Sequence, residues 1–123
     1  MAEYIDGFIH PVPRKYVEEY KSAAQQISEI WKENGAIDYK EFIGDEMSLE
    51  GTVSFRDILK VTDDEIVVFG WVVFPSKEIR DLANKTVPED PRMSDLITPL
   101  LKPDKTIFNA SRMVYGGFEA LVK

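Results

Sequence analysis

The chain has 123 residues, 44% of them hydrophobic and 30% charged, with a formal net charge of −7 and no cysteine. That length predicts one domain, residues 1–123, burying about two-thirds of its unfolded-chain surface, and the missing cysteine excludes disulfides, thiolate catalysis and zinc–thiolate sites. The acidic balance, with no cluster of Lys and Arg to offset it, argues against nucleic acid, which demands concentrated positive charge.

No run approaches the 18 apolar residues of a membrane helix. Glu3 and Asp6 stand where a secretory signal would need an apolar run, so a cytoplasmic protein is expected. Asn109-Ala110-Ser111 matches the glycosylation pattern and, without such a signal, reads as a chance match.

Residues 3–10 alternate as a strand, with Tyr4, Asp6, Phe8 and His10 on one face and Ile5, Gly7 and Ile9 on the other. Pro11 and Pro13 then stop it, because proline cannot donate to a ladder. Over 14–34 the spacing of Tyr16, Val17, Tyr20, Ala23, Ala24, Ile27, Ile30 and Trp31 predicts a helix with one buried stripe. Gly35 supplies its C-terminal cap. Residues 36–44 alternate again as a second strand. The stretch 47–64 is ambiguous: Phe55, Ile58 and Leu59 suit a short helical turn, while the same residues also read as extended. Residues 65–74, almost continuously apolar, predict a third strand buried on both faces.

Ser76 caps a second helix with Glu78 near its positive end and Ile79, Leu82, Ala83 and Thr86 toward the core. From 88 to 111 the chain is irregular, interrupted by a short helix with Asp90 as cap, Pro91 in first position, and Met93, Leu96, Ile97 and Leu100 as its apolar side. The last strand is expected over 112–122.

The order strand, helix, strand, strand, helix, strand with two right-handed crossovers predicts an α+β, ferredoxin-like antiparallel sheet of spatial order 4-1-3-2. Its own helices cover only one face. Tyr4, Phe8, Tyr39, Met113 and Tyr115 are expected on the other, and that much apolar surface predicts a second copy packing sheet to sheet about a twofold axis. Gly7, Gly70 and Gly116 or Gly117, each next to an aromatic residue, are expected to form a row across three adjacent strands. Such a row either lets a helix approach closely or leaves the floor of a cavity open.

The segments "YIDGF" with "PVP", "WKENGA", "FGWVVFPSKEIRDLAN", "DPRM" and "RMVYGGFE" resemble, in register over nearly the whole chain, the YbaA-like bacterial family, a domain of unknown function. The resemblance implies a fold similar to the dimeric α/β-barrel proteins, hence a homodimer with two sheets forming a barrel. It implies no activity. The chain departs from the family pattern at His10, usually apolar, and at "NAS", which replaces Asp-Gly-Lys before the last strand.

His10 is the only histidine, so a histidine metal cluster is excluded and no cofactor is expected. Beside Pro11 at a strand end it reads as a surface or cap residue more readily than as a base. Asp6, Glu41 and Glu119 are carboxylates on strands rich in aromatic residues. If two face the barrel interior, burial raises their pKa values and makes one of them a candidate general base; Glu41, Asp6 and Tyr115 are the catalytic candidates. The alternative has them pairing with Arg56 and Arg112 at the sheet ends. Arg80 and Asn84, one helical turn apart, read either as part of a solvated face or as polar groups at a pocket mouth suited to a carboxylate. Arg92 and Arg112 are further anion-contact candidates, and Tyr4, Tyr39 and Trp71 candidate aromatic walls.

Three functions remain open on these residues. The first is an enzyme acting on a small, aromatic or quinone-like molecule in the barrel cavity; the second is a non-catalytic binding or sensing dimer; the third is a dimer with filled barrels that takes no small ligand.

Overall fold

The computed structural model describes residues 3–123. Among the described residues six strands are formed: β1 (Tyr4–Pro13), β2 (Asp38–Ile43), β3 (Glu65–Phe74), the two-residue β4 (Leu101–Lys102) and β5 (Lys105–Thr106), and β6 (Val114–Glu119). Four α-helices accompany them: α1 (Val17–Glu33), α2 (Phe55–Leu59), α3 (Lys77–Thr86) and α4 (Pro91–Ile97). The four long strands make one antiparallel sheet of order β2-β3-β1-β6, and β4 and β5 pair separately as a small hairpin. The architecture is α+β. The expected order differs only in its count, because the hairpin falls before the last strand and makes the sheet's edge strand the sixth rather than the fourth. No helix of the described residues is long and apolar enough to cross a membrane.

β1 runs through both prolines instead of stopping at them. The reason lies in which side each residue's backbone faces. Arg14 N–H bonds the Asp64 carbonyl on the β3 side, whereas the Glu3 carbonyl is bonded by Ala120 next to β6. Odd-numbered residues of β1 therefore address β6, whose pairing ends at Ile9–Val114. Pro11 and Pro13 are odd-numbered and lie beyond that point, so no ladder bond is lost.

α1 ends as expected. Gly35, at φ 107°, takes the left-handed position after the helix, and its neighbour Ala36 returns an N–H to the Trp31 carbonyl at 3.1 Å. Ser76 accepts from Ile79 N, and Asp90 from Arg92 N, so both predicted helix caps form. The ambiguous stretch resolves into α2, capped by Ser54 accepting from Arg56 N. α3 buries Ala83 and packs Ile79 against the core; Leu82, expected inward, is 65% exposed. The last strand is shorter than expected because Arg112 belongs to a 3-10 turn over Ala110–Arg112.

The helices α1, α3 and α4 cover the sheet face that carries Asp6, Phe8, His10 and Val12 of β1. Val72 and Phe74 pack with Ile30, Ala83 and Met93, and Val12, Ile66 and Val68 pack with Ala23, Leu100 and Ile107. The other face carries Phe69, Trp71, Phe42, Val114 and Phe118. It is covered in part, where Leu59 and the neighbouring Met47 and Val61 pack on Ile9 and Val67. This reverses the expected facing: Phe8, Tyr39, Met113 and Tyr115 look toward the helices, and the bare face belongs to the opposite parity. Alternation fixes which residues share a face, but β3 is apolar on both sides and gives no sign of which face the helices take.

The glycines do not form one row. Gly7 is opposite Trp71 and Gly116, whereas Gly70 is opposite Phe8, so Gly7 and Gly116 lie on the bare face and Gly70 on the covered one. At Gly70 the absent side chain is required: a Cβ there would lie 2.3 Å from the Phe8 ring and 3.0 Å from Glu41 Cγ. Phe8 thus lies across β3 in the space glycine leaves. Gly70→Ala is expected to cost about 1–3 kcal/mol in denaturant unfolding, the range for overpacking a core, and to cost clearly less in a Phe8→Leu background. An equal cost in both backgrounds would show that the ring contact is not the cause.

Candidate functional site

The register places Glu41, Gly70, Phe8 and Tyr115 in one row across β2, β3, β1 and β6. With strands about 4.8 Å apart, Glu41 and Tyr115 originate about 14 Å from each other. The low middle of this row, glycine overlaid by one flat ring, is the floor of a cavity of about 520 Å³ between the sheet and α1 and α4. Trp31, Ile27, Met93 and Phe108 wall it, and Asn84 and Met113 also border it. Its interior is thus mostly apolar and aromatic, with polar groups gathered at two poles.

At the β2 pole Glu41 is held from both sides. The Tyr20 hydroxyl, reaching across from α1, donates to Oε1, and the Tyr39 hydroxyl donates to Oε2 at 2.6 Å. His10 Nε2 lies 2.9 Å from the Tyr20 oxygen. Because Tyr20 spends its single hydrogen on Glu41, its oxygen accepts here and the His10 proton sits on Nε2. Burial pushes the Glu41 carboxyl above its ordinary value, against the two tyrosine hydrogen bonds that favour the anion. Both tyrosines are driven up, by burial first and by the Glu41 charge second. His10 goes down to about 4, because burial outweighs the opposing Pro11 carbonyl. At neutral pH the imidazole is uncharged.

At the β6 pole Arg80 Nε donates to both Asp6 oxygens, at 3.0 and 3.2 Å, and Arg80 Nη2 donates to the Tyr115 hydroxyl at 2.6 Å. Tyr115 in turn donates to Asp6 Oδ1 at 2.6 Å. The guanidinium also lies 4.9 Å from the Tyr4 ring centroid, and Gly117 makes room for it, since a Cβ there would lie 2.9 Å from Nη2. The pair is buried, its side chains 16% and 8% exposed. The Asp6 carboxylate holds Arg80 firmly in its charged form, while burial raises Tyr115.

Of the residues singled out in the sequence, Asp6, His10, Tyr39, Glu41, Asn84 and Tyr115 border the cavity, and Arg80 and Tyr4 stand behind its β6 pole. The others lie elsewhere. Trp71 sits on the bare face, 5.0 Å from Phe42 and 5.9 Å from Phe69 by ring centroids. Arg92 bridges Asp90 and Glu33 on the surface. Arg112 pairs with Glu65 and bonds the Leu59 carbonyl, which ties β3 to the end of α2. Glu119 is exposed at the sheet's end. His10, expected at the surface, is completely buried, stacked at 5.9 Å on Phe8 and edge-on at 5.1 Å to Phe108. Strand parity alone carried its signal, since it shares a face with Asp6 and Phe8. Tyr20 read only as one member of the helical stripe.

The fold and site define the chain as a ferredoxin-like α+β protein with a cavity between its sheet and its own helices. The description "Protein of unknown function (DUF1428)" matches residues 3–105, and the chain belongs to that family. It is 34% identical over 120 residues to the uncharacterized protein YbaA of Escherichia coli K12, covering 98% of this chain and 97% of YbaA. Among solved structures it is similar to a dimeric ferredoxin-like protein from an uncultured marine organism (TM-score 0.59, 10% identity, 100% and 99% of the two chains). A conserved Bacteroides thetaiotaomicron protein, described as a possible oxidoreductase, gives a TM-score of 0.57 at 14% identity, with 97% of each chain covered. A nipsnap family protein of unknown function from Agrobacterium tumefaciens gives 0.57 at 11%, over 96% of this chain and 87% of its own.

Two outcomes are expected from this geometry. Arg80 also pairs with Asp81 at 2.9 Å, so the uncompensated charge is left by Arg80→Ala, which strands the buried Asp6 carboxylate with the Tyr115 hydroxyl and should lower unfolding free energy by about 3–5 kcal/mol. His10 is depressed in the folded state, so between pH 6.5 and about 4 the unfolded chain binds the extra proton and stability falls as pH falls. His10→Phe should flatten that part of the Tm–pH curve relative to wild type; parallel curves would show that His10 is not depressed.

Proposed function

We propose that the chain is a homodimer whose protomers each bind a small aromatic molecule in the cavity between sheet and helices and act on it by proton transfer, with Glu41 as the base. The observation that carries this reading is a carboxylate set between two tyrosines on the wall of a mostly apolar and aromatic cavity. Such a carboxylate is short of water and raised in pKa, which brings its basicity toward that needed at neutral pH.

Each residue at this pole has a distinct part. Tyr20 and Tyr39 aim the carboxylate and stabilise its charged form between turnovers. His10, through Nε2–H, keeps the Tyr20 oxygen occupied so that the tyrosine hydrogen points at Glu41; it is a positioning residue. At the far pole the Tyr115 hydroxyl donates to Asp6 and accepts from Arg80; it serves an oxygen that gains negative charge by turning its hydrogen from Asp6, whose charge Arg80 still meets. The proton passes from a carbon next to a carbonyl to Glu41 and returns to the substrate, so the step balances with no co-reactant.

The second copy is seated on the bare face, where Trp71, Phe42 and Phe69 form an aromatic cluster and Phe118 and Val114 are 57% and 45% exposed. The dimeric ferredoxin-like neighbour supports this assembly. In this arrangement the ligand space belongs to each protomer, and the space between the two sheets is filled by aromatic packing.

A second reading, a binding dimer without turnover, is favoured by one feature. Among the described residues no buried side-chain polar atom lacks a partner, and the Asp6–Arg80–Tyr115 cluster is satisfied within itself.

One experiment separates the two. Phenylacetone in D₂O, followed by NMR, should exchange its α-protons faster with the protein, at a rate rising with pH through a pKa above 4.5. Glu41→Gln should lose 10²–10⁴-fold of that rate while still binding the ketone. Binding without exchange would favour the second reading, and no binding of aromatic probes would contradict both. For the assembly, a solution mass of twice 14.1 kDa is expected, falling to the monomer in Trp71→Asp. A monomeric wild type at micromolar concentration would contradict it.

A further inference from the structure

A second cleft opens beside the cavity, between α1 and the edge strand β2. Its volume is about 440 Å³, and it runs along Val17, Ile43, Ile66 and Val68 with Glu18 and Lys21 on its α1 rim. Tyr20, Ala24, Tyr39 and Glu41 border both spaces. The two are therefore separated by a wall one side chain thick, and that wall is thinnest at Ala24, which has nothing beyond its Cβ. At the outer end, Ile43 is 58% exposed, whereas Tyr39 and Glu41, the residues of β2 that share its face, are half-buried. Packing within the chain gives this isoleucine no cover, on an edge strand where exposed apolar residues carry the risk of pairing with other chains.

The floor of this cleft has a definite chemistry. β2 and β3 present Ile43, Ile66 and Val68 to it, and beyond Glu41 they offer no charged group. Glu18, Lys21, Gln25 and Ser28 line the α1 side, so a sugar or phosphate moiety lying on this floor would lose water there and find partners only across the cleft. A hydrocarbon chain would gain by covering the same surface.

We infer that the molecule bound in the cavity carries an aliphatic tail, which passes Ala24 and lies in this cleft. An aromatic ring with a polar substituent occupies the cavity, and the tail follows α1 outward from Ala24 to Val17, a distance of about 10 Å along the helix. This rests on the reading of the cavity as a site for a small aromatic molecule and names the class of that molecule as an alkyl-substituted aromatic.

The test is calorimetric titration of the full-length protein with 4-alkylphenols from 4-methylphenol to 4-decylphenol. Wild type should gain about fourfold in affinity per added methylene and level off once the chain has run the length of the cleft. Ile43→Asp, at an exposed position that does not threaten folding, should leave 4-methylphenol unchanged and remove the gain of the longer members. Ala24→Phe should remove the gain from the shortest chains onward. Affinity indifferent to chain length, or gains that survive both substitutions, would overturn the inference. The two readings fail separately: 4-methylphenol binding with no gain along the series removes the tail and keeps the cavity. Binding of the long members alone, lost in Ile43→Asp, keeps the cleft and removes the cavity as the ring's site.

Discussion

The Phe8 ring lying across Gly70 is the contact on which the cavity depends. β3 is a central strand, and any side chain at position 70 would stand up from the middle of the covered face, in the space that Phe8 and Glu41 now share. With hydrogen there instead, the ring lies flat, the floor stays low, and the carboxylate of β2 leans inward toward Tyr20. The cost of a glycine inside a strand, a few tenths to one kcal/mol in backbone entropy and lost packing, is offset by the aromatic contact that fills the gap. The glycine thus keeps the floor low beneath α1 and α4, whose residues form the opposite wall.

Charge is distributed across this hollow so that each pole is neutralised by a different means. At the β6 pole a carboxylate meets a guanidinium in a two-point contact, and the pair is stabilised by a shared tyrosine. At the β2 pole no cation among the described residues pairs with Glu41; two hydroxyls and the indirect support of a neutral imidazole stand in for one. The difference is chemical. An ion-paired carboxylate is a poor base because its charge is already countered, whereas a buried carboxylate held by hydroxyls keeps its basicity. Arg112 and Glu65 form a partly buried pair, whereas Arg92 with Asp90 and Glu33 lies outside, where water screens the charges and they contribute little.

Much of this architecture was legible in the sequence, and the missing part has a specific cause. The α1 stripe, the caps at Ser76 and Asp90 and the turn at Gly35 rest on local rules, and all four are present. Strand alternation put Asp6, Phe8 and His10 on one face, with Tyr39 on the same face of the sheet, which is how they fall. What alternation cannot say is which face the helices choose, and the apolar run of β3 hid that choice. The candidate residues on the covered face were thus expected between two sheets, when they lie beneath the helices. His10 was judged by its solitude and by the proline after it; its burial follows from parity with Phe8 and from the arrival of Tyr20 and Phe108, contacts far apart in the chain. The prolines of β1 misled for a similar reason, since whether a missing N–H matters depends on where β6 ends.

The claim at the centre is that the ligand space lies between each sheet and its own helices. Intermolecular NOEs from 4-methylphenol to the isotope-labelled protein test it most directly. Contacts to the rings of Phe8, Trp31 and Phe108 are the predicted result, and contacts confined to Phe42, Phe69 and Trp71 on the opposite face would contradict it.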